Sequence, residues 1–465
     1  MLREYNHLHF IGIGGCGMSA LANIMLDLGK HVSGSDLAST LTNYQLNHLT
    51  KRGATIFQNH DQKNLDKADL VIYSTSINDD NCEKLAAIKS NLPLWHRSKL
   101  LAHLLNQQKG ITIAGAHGKT TTTAMIAHVL VTCKVDPTYI IGGESLSLKQ
   151  NAQAGTSEYL VAEADESDGS FLAYRPYISV ITNIEADHLE HYANSFDNLK
   201  QAYTIFLNQT KPEGVAILFG DDPLILKTAK QFSGNIIKYA LKDTSAEYYA
   251  NTIVTSGAKT TFTLYHKNSQ LGKVTLSLPG KHNILNALAA IATARFLGLE
   301  FKTIAAALAT FQSTKRRFEV IGLVNDIMIV DDYAHHPTEI KALISGCQAL
   351  NRKIIAIFQP HRYSRTALFL QEFSHAFQGV SEVIIDRIYA PSGEEPISNI
   401  SGEHLAALIK KNCNPNVTYL PTHTKIVEHV LKRLKPGILV LTIGAGNIQN
   451  VAQQITTKLK DHIYI

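Results

Sequence analysis

Short apolar runs of three to five residues recur along the chain, separated by longer segments in which apolar residues return every three or four positions. Runs of the first kind are typical of strands buried on both faces of a parallel sheet, and the longer segments are typical of amphipathic helices. The predicted strands are 9–11, 31–34, 69–73, 111–114, 159–162, 178–182, 327–330, 354–358, 383–385 and 439–443. Their alternation with helical segments predicts an α/β fold.

One stretch breaks this alternation. Residues 235–278 are rich in Thr, Ser, Val and Tyr, and polar and apolar residues alternate there, for example at 260–265. A period of two is the pattern of half-buried strands, so we predict an antiparallel β insertion. A helical, Ala-rich segment follows at 283–296.

The length of 465 residues indicates about three domains. The polar stretch 105–110 has the composition of a linker, and a new series of strands begins after residue 315. We therefore predict domains at 1–106, 107–313 and 314–465. Because polar residues follow several of the strands, we expect the three domains to surround one cleft.

The composition is that of an ordinary globular protein, with 45% hydrophobic and 18% charged residues. The net charge of +5 comes from dispersed basic residues, which suits anionic small molecules and gives no support for nucleic-acid binding. The five cysteines form no Cys-x-x-Cys pair, which favours reduced thiols in a cytoplasmic protein over disulfides or a zinc site. The sequence contains neither a signal-peptide pattern nor an apolar run long enough for membrane insertion.

A phosphate-binding loop is predicted at 115–120, which reads Gly-Ala-His-Gly-Lys-Thr between the strand 111–114 and a helical run at 124–130. Backbone N–H groups at such a turn face an anion, Lys119 would reach the β- and γ-phosphates, and the Thr120 hydroxyl can ligate Mg²⁺. Ile113 stands where the long P-loop motif has its first glycine, so this loop is a shortened form. The alternative is a glycine-rich turn with a chance lysine, but the flanking strand and helix favour ATP binding.

The first predicted domain carries a second glycine-rich turn. Glycines at 12, 14 and 17 follow the first strand, and Asp36 follows the second, as in dinucleotide-binding units. Residues 74–76 (Ser-Thr-Ser) follow the third strand and would lie at the same sheet edge. An NAD-dependent oxidoreductase is therefore an alternative, although it leaves the loop at 115–120 unexplained.

Two acidic stretches follow strands of the second predicted domain. Residues 163–168 read Glu-Ala-Asp-Glu-Ser-Asp, and residues 182–188 read Thr-Asn-Ile-Glu-Ala-Asp-His. Oxygen ligands of this kind are the ones that Mg²⁺ prefers. A solvated acidic loop and a structural histidine are the alternatives, but two such stretches downstream of one phosphate loop favour a metal site.

The third predicted domain begins with basic residues and continues with His- and Arg-containing strand ends. Residues 315–318 (Lys-Arg-Arg-Phe) suit phosphate charge, with a solvated basic face as the alternative. Residues 331–338 (Asp-Asp-Tyr-Ala-His-His-Pro-Thr) and 359–366 (Gln-Pro-His-Arg-Tyr-Ser-Arg-Thr) each follow a strand. Paired arginines can hold a carboxylate through forked hydrogen bonds, so these stretches indicate a carboxylate substrate.

Together these motifs resemble the Mur ligases of bacterial peptidoglycan synthesis, and most closely their alanine-adding branch. The motifs stand in order over nearly the whole chain, and they are weak singly but specific jointly. The residues that carry the resemblance are 12–18, 115–122, 163–168, 182–188, 279–287, 316–318, 331–337 and 359–366.

The resemblance implies an α/β fold with three domains: a Rossmann-like N-terminal UDP-binding domain, a central P-loop ATPase domain with the antiparallel insertion, and a C-terminal Rossmann-like domain. It also implies ATP-dependent ligation with Mg²⁺, in which the lactyl carboxylate of UDP-N-acetylmuramate becomes an acyl phosphate and then reacts with the amine of L-alanine. The state of assembly would be a monomer or a homodimer. The glycine-rich turn of the first domain would then bind UDP and not NAD.

The same resemblance implies roles for individual residues. For the UDP-sugar these are Gly14, Gly15, Cys16, Gly17, Met18, Asp36, Ser74, Thr75 and Ser76. For ATP they are Gly115, His117, Gly118, Lys119, Thr120, Thr121, His282, Asn286, Arg317 and Asp332. The metal ligands would be Thr120, Glu163 and His188, and the residues near the amino acid would be Tyr333, His335, Arg362 and Arg365. The catalytic residues would be Lys119, His188, His335, Arg362 and Arg365.

Two features depart from the wider family pattern. Tyr203 stands where several sister ligases carry a carbamylated lysine, so we predict no such lysine here. The stretch 389–396 has one residue more than the usual motif, and it receives no role. A ligase that attaches a recycled tripeptide, and a nucleotide-binding regulatory module without catalysis, remain alternatives.

Overall fold

A computed structural model describes residues 2–38, 43–391 and 394–461 of the chain. These residues fall into two compact units, which are described separately below. The first unit comprises Met1–Asn251, Thr263–Gly272 and Leu285–Leu308, and the second comprises Thr252–Phe262, Lys273–Ile284 and Ala309–Ile465. The predicted three-domain α/β fold is confirmed, whereas the exact domain boundaries stay a prediction. No helix within the described ranges is both long and apolar enough to cross a membrane.

The first sheet of the first unit is a parallel sheet with the order β3-β2-β1-β4-β5. Its strands are β1 (His7–Ile11), β2 (His31–Ser35), β3 (Thr55–Phe57), β4 (Leu70–Tyr73) and β5 (Leu94–His96), and its helices are α1 (Cys16–Asp27), α2 (Tyr44–Lys51), α3 (Cys82–Lys89) and α4 (Arg97–Gln107). The strand order reverses between β1 and β4. This reversal is the point at which open α/β sheets bind their ligands.

The second sheet of this unit contains, in order, β12-β11-β10-β6-β9-β7-β8. Its strands are β6 (Lys109–Ala114), β7 (Thr138–Ile140), β8 (Ala152–Gln153), β9 (Tyr159–Glu163), β10 (Ile178–Ile181), β11 (Val215–Phe219) and β12 (Asn235–Ala240). The strands pair in parallel except for the short β8. The helices are α5 (Lys119–Thr132), α6 (Phe196–Asn208) and α7 (Pro223–Thr228).

The sheet continues beyond β12 with β13 (Tyr248–Ser256), β14 (Lys259–His266) and β15 (Ser269–Leu276). Only two residues connect each of these strands to the next, which is too short for a parallel crossover, so they form antiparallel hairpins. The predicted insertion is therefore confirmed, but it begins later than residue 235. The prediction was wrong for β12, which pairs in parallel with β11. Next come α8 (Lys281–Phe296), as predicted apart from an earlier start, and α9 (Phe301–Thr310).

The predicted linker at 105–110 was also wrong. Its first residues belong to α4 and its last residues to β6. Asn106 bonds to the main chain of Ala173 and Arg175, and Lys109 pairs with Glu158. The polarity of this stretch therefore reflects tertiary partners and not a flexible connection.

The two sheets of the first unit share one hydrophobic core. A single cluster of buried residues runs from Leu8 and Phe10 in β1 through Leu105 in α4 to Leu160 in β9 and Phe206 in α6. Residues Thr121–Leu130 of α5 are buried around the whole helix, which is the pattern of a central helix. The glycine-rich turns after β1 and β6 are consequently held by the same packed interior.

The second unit contains a sheet with the order β16-β17-β21-β18-β19-β20. Its strands are β16 (Glu319–Val324), β17 (Ile327–Asp332), β18 (Lys353–Phe358), β19 (Glu382–Ile385), β20 (Val417–Tyr419) and β21 (Ile438–Ile443). They pair in parallel except for the edge strand β16. The helices are α10 (Pro337–Gln348), α11 (Tyr363–Leu368), α12 (Leu370–Ser374), α13 (Gly402–Asn412), α14 (His423–Leu431) and α15 (Gln449–Asp461).

A buried carboxylate, Glu83 of α3, lies under the carboxyl edge of the first sheet. It accepts hydrogen bonds from Ser35 Oγ at 2.5 Å and Asn64 Nδ2 at 2.7 Å, and it lies 3.5 Å from Nε2 of His9. Burial alone would raise the pKa of Glu83, but its bonds with His9, Ser35 and Asn64 outweigh burial and lower the pKa to about 2. The ionised carboxylate therefore ties β1, β2 and α3 together.

We expect Phe206→Ala to destabilise the first unit by about 3–5 kcal/mol, because it empties a fully buried position. The Phe206 ring packs against Phe171, with centroids 5.1 Å apart. Its neighbour on the same helix, Ile205, is 43% exposed, so Ile205→Ala should change stability by only about 0.5 kcal/mol. Thermal unfolding followed by circular dichroism measures both variants, and equal shifts of the midpoint would contradict this packing.

We expect Glu83→Gln to remove an acid-dependent part of the stability. The folded-state pKa of Glu83 lies below its ordinary value of 4.5, so its contribution is complete above pH 4.5 and is lost as the pH falls towards 2. The difference in unfolding midpoint between wild type and E83Q should therefore shrink as the pH falls through this window. A difference that stays constant from pH 6 to pH 2 would show that the charge of Glu83 does not stabilise the fold.

Candidate active site

A cavity of about 430 Å³ lies at the switch point of the first sheet. Residues that follow β1, β2 and β4 line it, among them Gly12, Asp36 and Ser76. Its volume falls within the usual range of small-molecule pockets. The strand order and the cavity thus identify the same sheet edge as a ligand site.

The glycine-rich turn after β1 forms one wall of this cavity. Gly12 has a φ of 77°, and the N–H of Gly14 donates to Asp36 Oδ2 at 2.8 Å. A side chain at Gly14 would meet that carboxylate oxygen at 2.8 Å. The turn leads into α1, whose N-cap is Gly15, and the first N–H groups of a helix are suited to bind an anion.

The other predicted UDP-sugar residues lie in the turn after β4 and in the first turn of α1. Ser74 and Ser76 share a hydrogen bond of 2.7 Å, and Thr75 Oγ1 lies 3.1 Å from Nε2 of His96, so the turn after β4 is fixed. Cys16 donates from its Sγ to the carbonyl of Gly142 at 3.3 Å. The Met18 side chain is 2% exposed in the hydrophobic core, so only its main chain is available to a ligand.

The predicted phosphate loop connects β6 to α5. Gly115 and Gly118 have φ values of 135° and 82°, and a side chain at Gly115 would lie 2.2 Å from Thr182 Oγ1. The end of β10 holds the loop: the N–H of His117 donates to Asn183 Oδ1, and its carbonyl accepts from Thr182 Oγ1 and Asn183 Nδ2, at 2.7–2.9 Å. The backbone shape of the loop is therefore set by its neighbouring strand.

Lys119, the first residue of α5, forms a buried ion pair with Glu166. Its Nζ donates to the two carboxylate oxygens of Glu166 at 2.9 and 3.0 Å and to the Gly115 carbonyl at 2.7 Å. Burial alone would lower the pKa of Lys119, but the carboxylates of Glu166 and Asp165 outweigh it and raise the pKa. Lys119 is therefore a fixed cation across the mouth of the loop.

Thr120 and Glu163 form a pair of oxygen ligands beside this cation. Thr120 Oγ1 donates to Glu163 Oε2 at 3.2 Å, and the N–H of Gly142 donates to Oε1 at 2.6 Å. Neighbouring ligands of an octahedral Mg²⁺ at 2.0–2.1 Å are about 2.9 Å apart, close to the observed separation. The two residues thus fit Mg²⁺ in both chemistry and spacing.

The remaining predicted residues of the first unit have different surroundings. Asn286 lies against the phosphate loop, since a side chain at Gly118 would be 2.8 Å from its Oδ1. The same oxygen accepts from Thr122 Oγ1 of α5 at 3.2 Å, and Thr121 is buried. His188 adopts a φ of 54°, and its ring lies 3.7 Å from Asp187 and 3.6 Å from Glu190. These contacts do not join His188 to Thr120 or Glu163, so its role as a metal ligand stays a prediction.

In the second unit, Asp332 ends β17 and is almost completely buried. Its carboxylate accepts from the N–H groups of Phe318 at 2.7 Å and Ala334 at 2.8 Å. Burial raises the pKa of Asp332 to about 6, although Arg317 acts in the opposite direction. The carboxylate holds the turn that carries Tyr333 and His335 against the start of β16.

Glu339 connects several predicted residues of this turn. It accepts from the N–H of His335 at 3.0 Å, and its Oε1 lies 3.5 Å from Arg317 Nη1. The guanidinium of Arg317 also lies 5.1 Å from the centre of the Tyr333 ring. Burial lowers the pKa of His335 and of His282 to about 4, so both rings are neutral near pH 7.

Arg362 and Arg365 lie at the start of α11, after β18. Arg362 has a φ of 68°, its N–H donates to the Tyr389 carbonyl at 2.8 Å, and its side chain is exposed. Burial lowers the pKa of His361 to about 4, and Arg365 and Arg362 lower it further. Two guanidiniums beside neutral imidazoles are suited to bind an anion, and the amino-acid role of Arg362 and Arg365 stays a prediction. In the stretch 389–396, Ser392 and Gly393 lie outside the described residues.

Sequence reasoning assigned no role to three residues that organise these sites. Asn183 and Glu166 stand inside quoted motifs, but their partners lie far away along the chain. Glu339 stands three residues after the helix cap His336, a capping-box spacing that is visible in the sequence. Its contact with His335 is local, four residues away along the chain, whereas its contact with Arg317 is tertiary and leaves no such signal.

Three family models match successive parts of the chain. Residues 7–109 match the Mur ligase family catalytic domain, residues 113–294 the Mur ligase middle domain, and residues 316–446 the Mur ligase glutamate ligase domain. These matches cover both glycine-rich turns, the acidic strand ends and the basic turns of the second unit.

Curated relatives match over the full length. A UDP-N-acetylmuramate–L-alanine ligase of Pelotomaculum thermopropionicum is 44% identical over 457 residues, which cover 98% of each chain. One from Geotalea uraniireducens is 43% identical over 461 residues, or 99% of each chain.

Solved structures agree with these matches. A UDP-N-acetylmuramate–alanine ligase from Thermotoga maritima has a TM-score of 0.83 at 28% identity, covering 98% of this chain and 99% of that one. A murein peptide ligase from Psychrobacter arcticus has a TM-score of 0.70 at 26% identity, covering 97% and 98%. With full-length relatives above 40% identity and three successive family matches, the chain belongs to the Mur ligase family.

Proposed function

We propose that the protein joins L-alanine to the lactyl carboxylate of UDP-N-acetylmuramate at the expense of ATP, through an acyl phosphate. The observation that carries this proposal is the loop Gly115–Thr120, with its buried cation Lys119 beside the oxygen pair of Thr120 and Glu163. The names of the full-length relatives supply the two substrates. ADP and phosphate would be the other products.

The chemistry explains why a phosphate loop belongs in such an enzyme. A carboxylate is a poor electrophile, because its negative charge repels an incoming amine. Transfer of the γ-phosphoryl group to the carboxylate turns one oxygen into a leaving group, and the amine then displaces phosphate. Catalysis of both steps consists largely of positioning the reactants and neutralising charge.

Lys119 would act on the γ-phosphoryl group. In the described structure its three donors are engaged by Glu166 and Gly115, so it has to exchange Glu166 for a phosphate oxygen when ATP binds. The charge of Lys119 is then present in the site before the nucleotide arrives. Such a cation needs little reorganisation when negative charge develops in the transition state.

Thr120 and Glu163 would hold Mg²⁺, which neutralises the phosphate oxygens and supplies Lewis acidity. The Gly142 N–H keeps the Glu163 carboxylate in place. Asn286 and the Thr182–Asn183 strand end fix the loop against α5, so its N–H groups keep the orientation that an anion requires. His188 would contribute to a second cation near the sugar carboxylate.

The cavity at the switch point of the first sheet would take the UDP portion of the sugar nucleotide. Gly14 and Gly15 would let the turn approach the diphosphate closely, and Gly17, in the first turn of α1, would present its main-chain N–H group to it. Asp36 already accepts from Gly14 with one oxygen and from Ala38 with the other. It therefore fixes the turn, which favours UDP over the NAD alternative, where this carboxylate would bind the ribose.

The second unit would supply the amino-acid site. Arg362 and Arg365 would pair with carboxylate groups, and the neutral ring of His335 can accept a hydrogen bond from the amine. Arg317, Asp332 and His282 would contact ATP.

A tripeptide-attaching ligase is the second candidate. The murein peptide ligase from Psychrobacter arcticus supports it, with 26% identity and nearly complete coverage. The full-length relatives at 40–44% identity are named as alanine ligases, which favours L-alanine. The two candidates share the phosphoryl chemistry and differ only in the amine.

We expect phosphate release from ATP to require both UDP-N-acetylmuramate and L-alanine. Lys119→Ala should reduce turnover by about 100-fold or more, because it removes a preorganised cation from the phosphoryl group. Lys109→Ala is the matched control, since Lys109 is a surface lysine of the same unit that pairs with Glu158. If a tripeptide but not L-alanine stimulated phosphate release, the amine substrate would be the tripeptide. Near wild-type turnover of K119A would refute the role of the loop.

We expect Glu163→Gln to raise the Mg²⁺ concentration needed for half-maximal activity by about tenfold or more, because one charged ligand is lost. Glu158→Gln changes an exposed carboxylate just before the same strand and should leave the Mg²⁺ requirement unchanged. Titration of activity with Mg²⁺ at saturating ATP measures both variants. An unchanged requirement in E163Q would remove Glu163 from the metal site.

A further inference from the structure

Arg97, the first residue of α4, lies between the two glycine-rich regions of the first unit. Its Nη1 would be 3.4 Å from a side chain placed at Gly17, and its Nη2 lies 3.7 Å from Asp168 Oδ2 and 4.0 Å from Asp165 Oδ2. One end of the guanidinium therefore faces the turn after β1, and the other end faces the acidic stretch after β9.

The contacts with the two aspartates are attractions without hydrogen bonds. Distances of 3.7 and 4.0 Å exceed the range of an N–H···O bond. Asp168 Oδ2 is buried and has no hydrogen-bond partner among the described residues. The Arg97 side chain is 28% exposed, so its donors remain accessible to a ligand that enters the turn.

The neighbouring residues fix the position of the Arg97 main chain at the start of α4. His96 caps α4 through its ring, which also lies 3.1 Å from Thr75 Oγ1 and packs edge-on against Tyr73. Arg97 thus starts from the carboxyl end of β5, next to the turn after β4. Both elements lie at the sheet edge that carries the cavity.

A cation at this sheet edge would reduce the repulsion between a bound diphosphate and the nearby carboxylates. A diphosphate on the turn Gly14–Gly17 would be close to the carboxylates of Asp165 and Asp168, which repel it. Arg97 stands between the turn and these carboxylates, and its planar fork suits phosphate oxygens. Lys119, another cation of this unit, is engaged by Glu166.

We propose that Arg97 binds the diphosphate of the sugar nucleotide on the Gly14–Gly17 turn and separates it from the acidic stretch 165–168. This inference rests on the proposed function, because it takes UDP-N-acetylmuramate as the ligand. It makes Arg97 a substrate-binding residue of the first unit. The fork would donate to phosphate oxygens at one end while its charge compensates Asp168 at the other.

Calorimetric titration of the full-length protein with UDP and with UDP-N-acetylmuramate tests this assignment. Arg97→Gln should weaken both ligands by the same factor, about 10- to 100-fold, as expected for the loss of a charge-assisted hydrogen bond. Arg97→Lys keeps the charge but loses the fork, so its affinities should lie between those of wild type and R97Q. Arg52→Gln, which removes a cation paired with Asp27 in the same unit, should leave both affinities unchanged.

A double variant separates ligand binding from a merely structural role. If Arg97 only compensates Asp168, then adding Asp168→Asn to R97Q should restore both affinities, and this restoration would overturn the proposal. We expect D168N/R97Q to bind as weakly as R97Q within about threefold, a margin well below the loss expected for R97Q itself.

The same titrations distinguish a failure of this inference from a failure of the proposed function. Unchanged UDP affinity in R97Q overturns the proposal, and so does a loss confined to UDP-N-acetylmuramate, because that pattern assigns Arg97 to the lactyl carboxylate. If the wild-type protein binds neither ligand, the proposed function itself fails. Wild-type binding with unaffected R97Q rejects only the role of Arg97.

Discussion

The buried ion pair between Lys119 and Glu166 is the interaction on which the phosphate site depends. It connects the loop after β6 to the acidic stretch after β9, and Lys119 also spans the loop to the Gly115 carbonyl. Removing one partner of such a pair leaves an uncompensated charge in a poorly hydrated place, which is strongly destabilising. The pair therefore holds the loop shape and keeps a cation ready for the nucleotide.

Around this ion pair, other polar groups of the predicted sites are also held in place by hydrogen bonds. Asn183 and Thr182 hold the His117 main chain, Gly142 holds Glu163, and Asp36 holds the turn after β1. In the second unit, Glu339 and Asp332 do the same for the turn that carries His335. Catalysis by positioning requires this rigidity, because an electrostatic site is effective only when its dipoles are already oriented.

The sequence predicted what local chemistry determines. The loop at 115–120 was found because its glycines, lysine and threonine stand together in the chain, and the α/β alternation was found because buried strands are continuously apolar. Partners distant in sequence were not found: Glu166 lies 47 residues from Lys119. The direction of β12 and the supposed linker at 105–110 were wrong for a related reason, since polarity and period do not reveal which strand or side chain completes a contact.

The common hydrophobic core of the first unit has a consequence for substrate choice. Because the buried cluster runs without interruption from β1 to α6, the turn after β1 and the loop after β6 cannot separate without exposing apolar surface. The distance between the turn after β1 and the loop after β6 is therefore fixed. Under the proposed function, a donor whose diphosphate rests on the first turn would present its carboxylate to the γ-phosphoryl group beside Lys119 only if the sugar and lactyl group between them had the matching span, so a shorter or longer acid would bind and stay unreactive.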